Sequence, residues 1–386
     1  MSSGFMNFEV SAKAPGKILW LGGYSVLERP NISFVTAVDA YVHAEAKSID
    51  GNIIRINVPQ LDKNISGSIN VDTGVLSVEA PKEILLLKTS IEVALRYVSG
   101  KGVRLQGMQI TTHNDQAFSY TITNGKIAKS GLGSSAAVTV AAIAAILKAY
   151  ELDKSENDAL HKLAQLAHSI ATGKVGSGFD IAAAAHGTIL YSRYSPDIVK
   201  GFPANYSNKD LLEIVEKKWD YEIEKFNMPD IFTLVFANFI DEGMITTAAI
   251  GSVSKFKEKN PDKYGELMKK INEENEKAIV ALRSLDYRED VEKNVNQFRD
   301  AFNKGRILTK QLGVLSQVSI EDDDLTRLIE ESVLNGACVA KLPGAGGRDS
   351  IAALCLDRDD QKLIGFWNSK KSISVLNIKV INQGAI

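Results

Sequence analysis

Cysteine is nearly absent from this chain: Cys338 and Cys355 are the only two in 386 residues, and no CxxC pair exists. That excludes a zinc site of the usual ligand spacing and a disulfide framework, and both residues read as core positions. An excess of either charge is missing too. With 45 Lys and Arg against 47 Asp and Glu, the formal net charge is −2, so no nucleic acid is expected as a partner and any anion site must be local. No apolar run approaches the ~18 residues that a membrane helix needs. The opening MSSGFMNFEVSAK also lacks the apolar core of a signal peptide. The expectations are no membrane contact and a cytoplasmic location. Repeats and low-complexity segments are absent. A content of 45% hydrophobic and 24% charged residues describes an ordinary globular chain, long enough for two domains.

What is present is a glycine-rich stretch opening onto a helix. Residues 128–138 read AKSGLGSSAAV and run directly into TVAAIAAILKAY. Gly131 and Gly133 permit positive φ and close approach of a ligand, while Ser134, Ser135 and Ala136 offer first-turn N–H groups to an anion. The ligand this points to carries phosphate; a tight turn before a core helix is the plainer alternative. Familiar phosphate loops do not fit. Gly131 to Ala136 satisfies the glycine spacing of a dinucleotide fingerprint, but Glu151, at about the right distance for the ribose-binding acid, ends the helix itself and no strand intervenes. No Gly-Lys pair continues into Ser or Thr as a Walker A loop requires, and the protein-kinase catalytic set is missing.

The remaining sequence divides in two. Strand signals at NFEVSAKAPGKILWLGG, YVHAEAKSI and IIRINV precede a helical repeat, EILLLKTSIEVALRYVSG, that ends at Gly100. ENDALHKLAQLAHSIATG forms another amphipathic helix, stopped by Gly173. Turn signals between 200 and 230 place a domain boundary, giving domains 1–215 and 216–386. The second begins with the strand IFTLVFANF, followed by charged helices from about 251 to 312 and a helix DLTRLIEESVLN capped by Asp322 or Asp323 and closed by Gly336. CVAKLP, a GAGG turn, the strand IAALCL, a helix near QKLIGFWN and a last strand SVLNIKVI complete a split βαβ, or ferredoxin-like, order with extra helices inserted.

Three runs, in order, resemble the three signature motifs of the GHMP kinases: KAPGKILWLGGYSVL at 13–27, SGLGSSAAV at 130–138 and LPGAGGRDSIAAL at 342–354. The resemblance spans nearly the whole chain. It implies an α+β GHMP kinase fold, with an N-terminal α/β domain like ribosomal protein S5 domain 2, a C-terminal ferredoxin-like domain and the active site between them. Many members of the superfamily carry Gly-Glu-His in the first motif; here Gly22-Gly23-Tyr24 stands there. That run and GKVGSGFDIAAAAHGTILYSR at 173–193 resemble the eukaryote-type phosphomevalonate kinases. Mevalonate kinases have a metal-binding Glu eleven residues before the catalytic Asp, and here Ser169 holds that place before Asp180.

The resemblance implies an enzyme that uses ATP and Mg²⁺ to convert 5-phosphomevalonate to mevalonate 5-diphosphate, in the mevalonate route to isoprenoids. Mevalonate kinase, with an alcohol acceptor, is the enzymatic alternative. A non-catalytic GHMP-fold binding protein is the other, and the presence of both Lys17 and Asp180 argues against it. On this reading Lys17 and Asp180 are catalytic, Ser130, Gly131, Leu132, Gly133, Ser134, Ser135 and Ala136 bind ATP, and the Ser135 hydroxyl ligates Mg²⁺. Phosphoryl transfer asks chiefly for positioning and for cations that neutralise spread negative charge. A phosphate acceptor has a second pKa of about 6 and needs no general base, so Asp180 orients Lys17 and the acceptor. The acceptor's phosphate and carboxylate call for further contacts: Lys174, Ser177 and Arg193 around Asp180, and Gly346 and Arg348 in the third motif, where Arg348 fills a usual glycine position. Plainer roles exist for several of these: a surface lysine for Lys17, a helix cap for Ser135 or Asp180, a solvated strand end for Arg193. His161 and His168, seven apart on one helix face, are too distant for one metal, and His43 and His186 are assigned no chemistry. Oligomeric state is left open.

Overall fold

The computed structural model describes residues 7–123, 125–152, 157–203, 205–240, 247–285, 290–356 and 359–386. The opening residues 1–6, Glu156 at the start of one expected helix and residues 286–289 inside the expected helical span lie outside them.

The first strand, β1 (Glu9–Leu21), alternates in burial at its start and is then buried without interruption from Ala14 to Leu21. Consecutive buried residues mean that both faces are covered, which explains why KILWL reads as an apolar run rather than an alternating one. β1 pairs antiparallel with β2 (Ser33–Ser48), of which YVHAEAKSI is only the second half. β3 (Ile53–Val58), β4 (Lys63–Ile69), β5 (Leu76–Ser77), β6 (Met108–Asn114), β9 (Ile189–Ser192) and β10 (Glu222–Lys225) extend the sheet in the order β10-β9-β2-β6-β3-β4-β5. Among the described residues only the β3–β6 pair within this sheet is parallel. A separate hairpin joins β7 (Ser119–Thr121) to β8 (Ile127–Lys129) just ahead of the glycine-rich loop.

Helices α1 (Leu85–Gly100), α2 (Ser134–Ala149), α3 (Asp158–Thr172) and α4 (Phe179–His186) pack together beside this sheet, and α5 (Pro196–Lys200) and α6 (Asn208–Glu216) follow. α2 is buried almost all round, as a helix of Ala, Val and Ile in the middle of a domain must be. Its small side chains let β1, β2, α1, α3 and α4 all lie against it. Residues 215 and 216 lie in the last turn of α6, and β10 beyond them still belongs to the large sheet.

The second sheet contains β11 (Phe232–Phe239), β12 (Ala337–Lys341), β13 (Ser350–Leu356) and β14 (Ile373–Leu376), in the antiparallel order β12-β13-β11-β14. Between β11 and β12 run α7 (Thr247–Lys259), the long antiparallel pair α8 (Pro261–Leu285) and α9 (Val291–Leu315), and α10 (Asp323–Leu334); α11 (Asp360–Asn368) lies between β13 and β14. Read along the chain, this is the ferredoxin-like order with α7, α8 and α9 inserted. Asp322 is the cap of α10, its carboxylate accepting the Leu325 N–H at 2.8 Å. The expected last strand SVLNIKVI divides in two. β14 stays in the small sheet, whereas β15 (Val380–Ile381) crosses back and pairs with β2 in the large one. The tail then reaches β1, where Lys13 and Ile386 exchange backbone hydrogen bonds of 2.8 and 3.0 Å. The largest core cluster is continuous between the domains, joining Phe34 and Trp20 of the first to Phe236, Phe298 and Phe302 of the second.

Candidate active site

A register shift between Pro15 and Gly16 interrupts the β1–β2 ladder, a fitting place for a residue without an N–H followed by one without a side chain. Gly16 is needed there because a Cβ would stand 3.2 Å from the Leu132 carbonyl oxygen and 3.3 Å from the Phe118 ring. The next residue is gripped by the glycine-rich loop. Its backbone N–H donates to the Leu132 carbonyl at 2.9 Å, and its Nζ donates to the Gly131 carbonyl at 2.7 Å. Lys17 is 7% exposed, so the surface-lysine reading does not apply. Burial pulls its pKa below the ordinary lysine value, and the Asp180 carboxylate pulls the other way.

Gly131 and Gly133 both adopt positive φ, +70° and +83°, and Gly133 is the left-handed N-cap of α2. A Cβ on Gly133 would lie 3.1 Å from Lys17 Cε. The sequence pointed to room for phosphate at this glycine; the structure adds the lysine stem as a second occupant of that space. No side chain caps α2, so Ser134 and Ser135, half-buried in its first turn, are not spent on that duty. Leu132 and Ala136 point into the core, leaving their backbone for the loop face. Ser130 is buried and its hydroxyl accepts the Asn238 amide of β11 at 3.2 Å.

Gly178 caps α4 with φ +81°, and a Cβ there would meet Gln165 Nε2 and the Tyr191 hydroxyl at 2.7 Å. Asp180 is therefore the second residue of the helix and not its cap. It is half-buried, its Oδ1 accepts the Ile181 N–H at 3.0 Å, and the neighbouring Phe179 ring centre lies 5.8 Å from Lys17 Nζ. Lys17, the loop 130–136 and the start of α4 thus converge. The other sequence candidates spread around them. Lys174 is exposed, and Ser177 offers its carbonyl to the Tyr191 hydroxyl at 3.2 Å. Arg193 is buried and donates to the carbonyls of Leu27 at 2.9 Å and Gly176 at 2.7 Å, bracing the loop before α4 against the turn after β1. Arg348 lies 3.2 Å from the Asp322 carboxylate and 3.7 Å from that of Asp324, at the start of α10. Gly346, at φ +85°, abuts the segment before α10, where a Cβ would be 2.4 Å from the Ile320 carbonyl.

The third motif closes on the first through residues that were not among the candidate site residues. Tyr24 adopts φ +60° and donates its hydroxyl to the Ala345 carbonyl at 2.9 Å, and Lys341 Nζ donates to the Trp20 carbonyl at 3.1 Å. Lys341 had a readable signal, being a lone charge in the apolar run CVAKLP. Asn238 had none, since its partner Ser130 is 108 residues away. Among the described residues no group of three or more His, Cys, Asp or Glu is placed to hold a metal ion by itself.

Two lysine-gripping carbonyls in a glycine-rich loop, a facing aspartate and a ferredoxin-like partner domain define a small-molecule kinase of the GHMP type. The family model for the GHMP kinases N terminal domain matches residues 89–188, and that for the GHMP kinases C terminal domain matches 288–370. The chain belongs to the GHMP kinase superfamily, in its phosphomevalonate kinase family. It is similar to a phosphomevalonate kinase of Saccharolobus solfataricus, 32% identical over 96% of this chain and 97% of that one. A peroxisomal phosphomevalonate kinase of Arabidopsis thaliana is 27% identical over 95% of this chain and 94% of its own length. In fold it matches a Streptococcus pneumoniae phosphomevalonate kinase in complex with phosphomevalonate and AMPPNP, with a TM-score of 0.75 at 21% identity over 96% of this chain and all of that one.

Proposed function

We infer that this protein transfers the terminal phosphoryl group of ATP to 5-phosphomevalonate, giving mevalonate 5-diphosphate and ADP. The observation that carries the reading is the position of Lys17, held by Gly131 and Leu132 with the start of α4 opposite. A buried ammonium at that point is a preorganised cation for charge that spreads over the transferring group. ATP phosphates sit at the first turn of α2, where the N–H groups of Ser134, Ser135 and Ala136 have no partner within the helix.

The acceptor oxygen belongs to a phosphate that is largely dianionic at neutral pH, so no proton has to be removed. Asp180 keeps Lys17 charged against its burial and orients it; Lys174 and Ser177 face the acceptor, and Arg193 shapes the loop that carries them. Gly346 and Arg348 border the acceptor from the third motif. Mg²⁺ supplies additional neutralisation of the phosphate charge. It usually keeps several waters and borrows substrate phosphates as ligands, so a single hydroxyl suffices from the protein, and Ser135 fits because it caps nothing. A cytoplasmic setting is supported by the two cysteines, both buried and unbridged, and the near-balanced charge supports a small-molecule partner over a nucleic acid. No helix among the described residues is long and apolar enough to cross a membrane. A coupled ADP-release assay is the test. ADP should form with 5-phosphomevalonate and not with mevalonate; preference for mevalonate would hand the site to the alcohol-acceptor alternative.

A further inference from the structure

Beyond Lys17 along β1, the end of the first motif, the start of the third, the segment before α10 and helices α8 and α9 enclose a cavity of about 50 Å³. That is room for a few waters or for a group the size of a carboxylate. Its charged lining is unbalanced, with Arg306, Lys310 and Lys341 against Glu321 alone. Two of the four are satisfied elsewhere. Lys310 donates to Asp323 at 2.8 Å and to Thr326 at 2.7 Å, and Glu321 accepts from Arg306 and from the Thr326 hydroxyl.

The other two keep donors in reserve. Arg306 uses Nη1 on Glu321, but its Nε is buried without a hydrogen-bond partner. Lys341 has three N–H donors and makes one hydrogen bond among the described residues, to the Trp20 carbonyl. Burial of its ammonium brings its pKa down to about 8, helped by repulsion from Lys17 and opposed by Glu321. The Arg306 Nε–H is buried and unspent, and the part-buried Lys341 ammonium has donors to spare, so a carboxylate entering the cavity would find hydrogen-bond donors from two cations. Trp20 stands three residues beyond Lys17 on the same strand, roughly 10 Å at the usual rise, comparable with a five-carbon acid phosphorylated at its far end.

We propose that this cavity receives the carboxylate of the acceptor, with Lys341 and Arg306 as its cationic contacts. The proposal rests on the reading of the acceptor as 5-phosphomevalonate, whose phosphate then faces Lys17 while its carboxylate enters between β1 and α9. Neither cation lies within the three glycine-rich runs that announce the ATP site; among the described residues Lys341 makes no ion pair there, and Arg306, paired with Glu321, keeps an unspent Nε donor.

The test is a cycle between protein and substrate. Initial rates are measured for wild type and Lys341→Met on 5-phosphomevalonate and on the analogue in which a carboxamide replaces the carboxylate. Wild type should lose about 10- to 100-fold in kcat/KM on the amide. Lys341→Met should lose a similar factor on the natural acceptor and little more on the amide, with KM for ATP unchanged, and Lys341→Arg should recover part of the loss. Wild type that uses the amide as well as the acid overturns the proposal, a result that does not depend on any variant folding. Equal losses by Lys341→Met on both acceptors overturn it too. Failure of wild type to use 5-phosphomevalonate at all removes the acceptor assignment and this inference with it, whereas turnover without discrimination against the amide removes this inference alone.

Discussion

Lys17 has given up almost all contact with water, and for a lysine that is costly unless the charge has work to do. Lys17→Met keeps most of the apolar stem beside Gly133 and deletes the charge. Because the cation matters most when charge spreads over the transferring group, kcat should fall by about 100-fold, about 3 kcal/mol, with KM for ATP changing much less. Steady-state kinetics with thermal denaturation as a folding control decide it, and a variant within a few-fold of wild type would show that the lysine only packs. At this scale the sequence was legible where chemistry sits in contiguous strings, as in Pro15-Gly16-Lys17 or Gly178-Phe179-Asp180. It was opaque where a partner is distant. Nothing near Arg193 in the chain reveals that its guanidinium is taken up by Leu27, 166 residues away, and nothing near Arg348 reveals Asp322. A charged residue beside a motif reads as a ligand contact until the fold shows what else it faces.

Among elements, helices with a clear apolar stripe and a glycine stop, such as α1 and α3, could be read directly, since that periodicity reports burial of one face. Short strands could not. β9 and β10 span four residues each, and β15 only two, so pairing partners rather than pattern define them. The division of SVLNIKVI between two sheets is of this kind, because apolar residues alone do not say which sheet edge they join. Its structural signature is Gly187, directly after α4, at φ 92° and ψ −148° and with Asn382 packed so closely that a Cβ would lie 2.1 Å from its carbonyl oxygen. L-residues avoid that backbone region, so Gly187→Ala should cost about 2–3 kcal/mol, seen as a lower urea midpoint at unchanged slope. A loss under about 0.5 kcal/mol would mean that the returning tail is not held against α4 as described.

The molecule as a whole stores a pH dependence in two rings. His161 and His186 meet edge to face at 5.3 Å, and each is driven by burial to remain neutral, His186 to a pKa of about 4 and His161 well below its ordinary 6.5. As pH falls from about 6.5 towards about 4, the unfolded chain takes up protons at these positions and the folded chain does not. Stability therefore falls with pH across that window and is fully present above it. Carboxylates add their own acid sensitivity, so the informative quantity is a difference. His186→Phe should lose less melting temperature than wild type between pH 7.5 and pH 5; parallel curves would mean that His186 is accessible to protons in the folded state. Fold class was the most legible property at this scale, because the order of strands and helices survives errors at their boundaries. The connection between domains was the least, since it depends on where the final residues go.

That return path has a mechanical outcome. The chain leaves the large sheet after β10 and re-enters it at β15, so the ferredoxin-like unit is a parenthesis inside the first domain and not an appendage at its end. A body tied at one point can swing about it; one tied at two, over a continuous core, is held in orientation as well as in place. The contacts of Lys341 with the Trp20 carbonyl and of Tyr24 with that of Ala345 tie the same two parts together again beside the site.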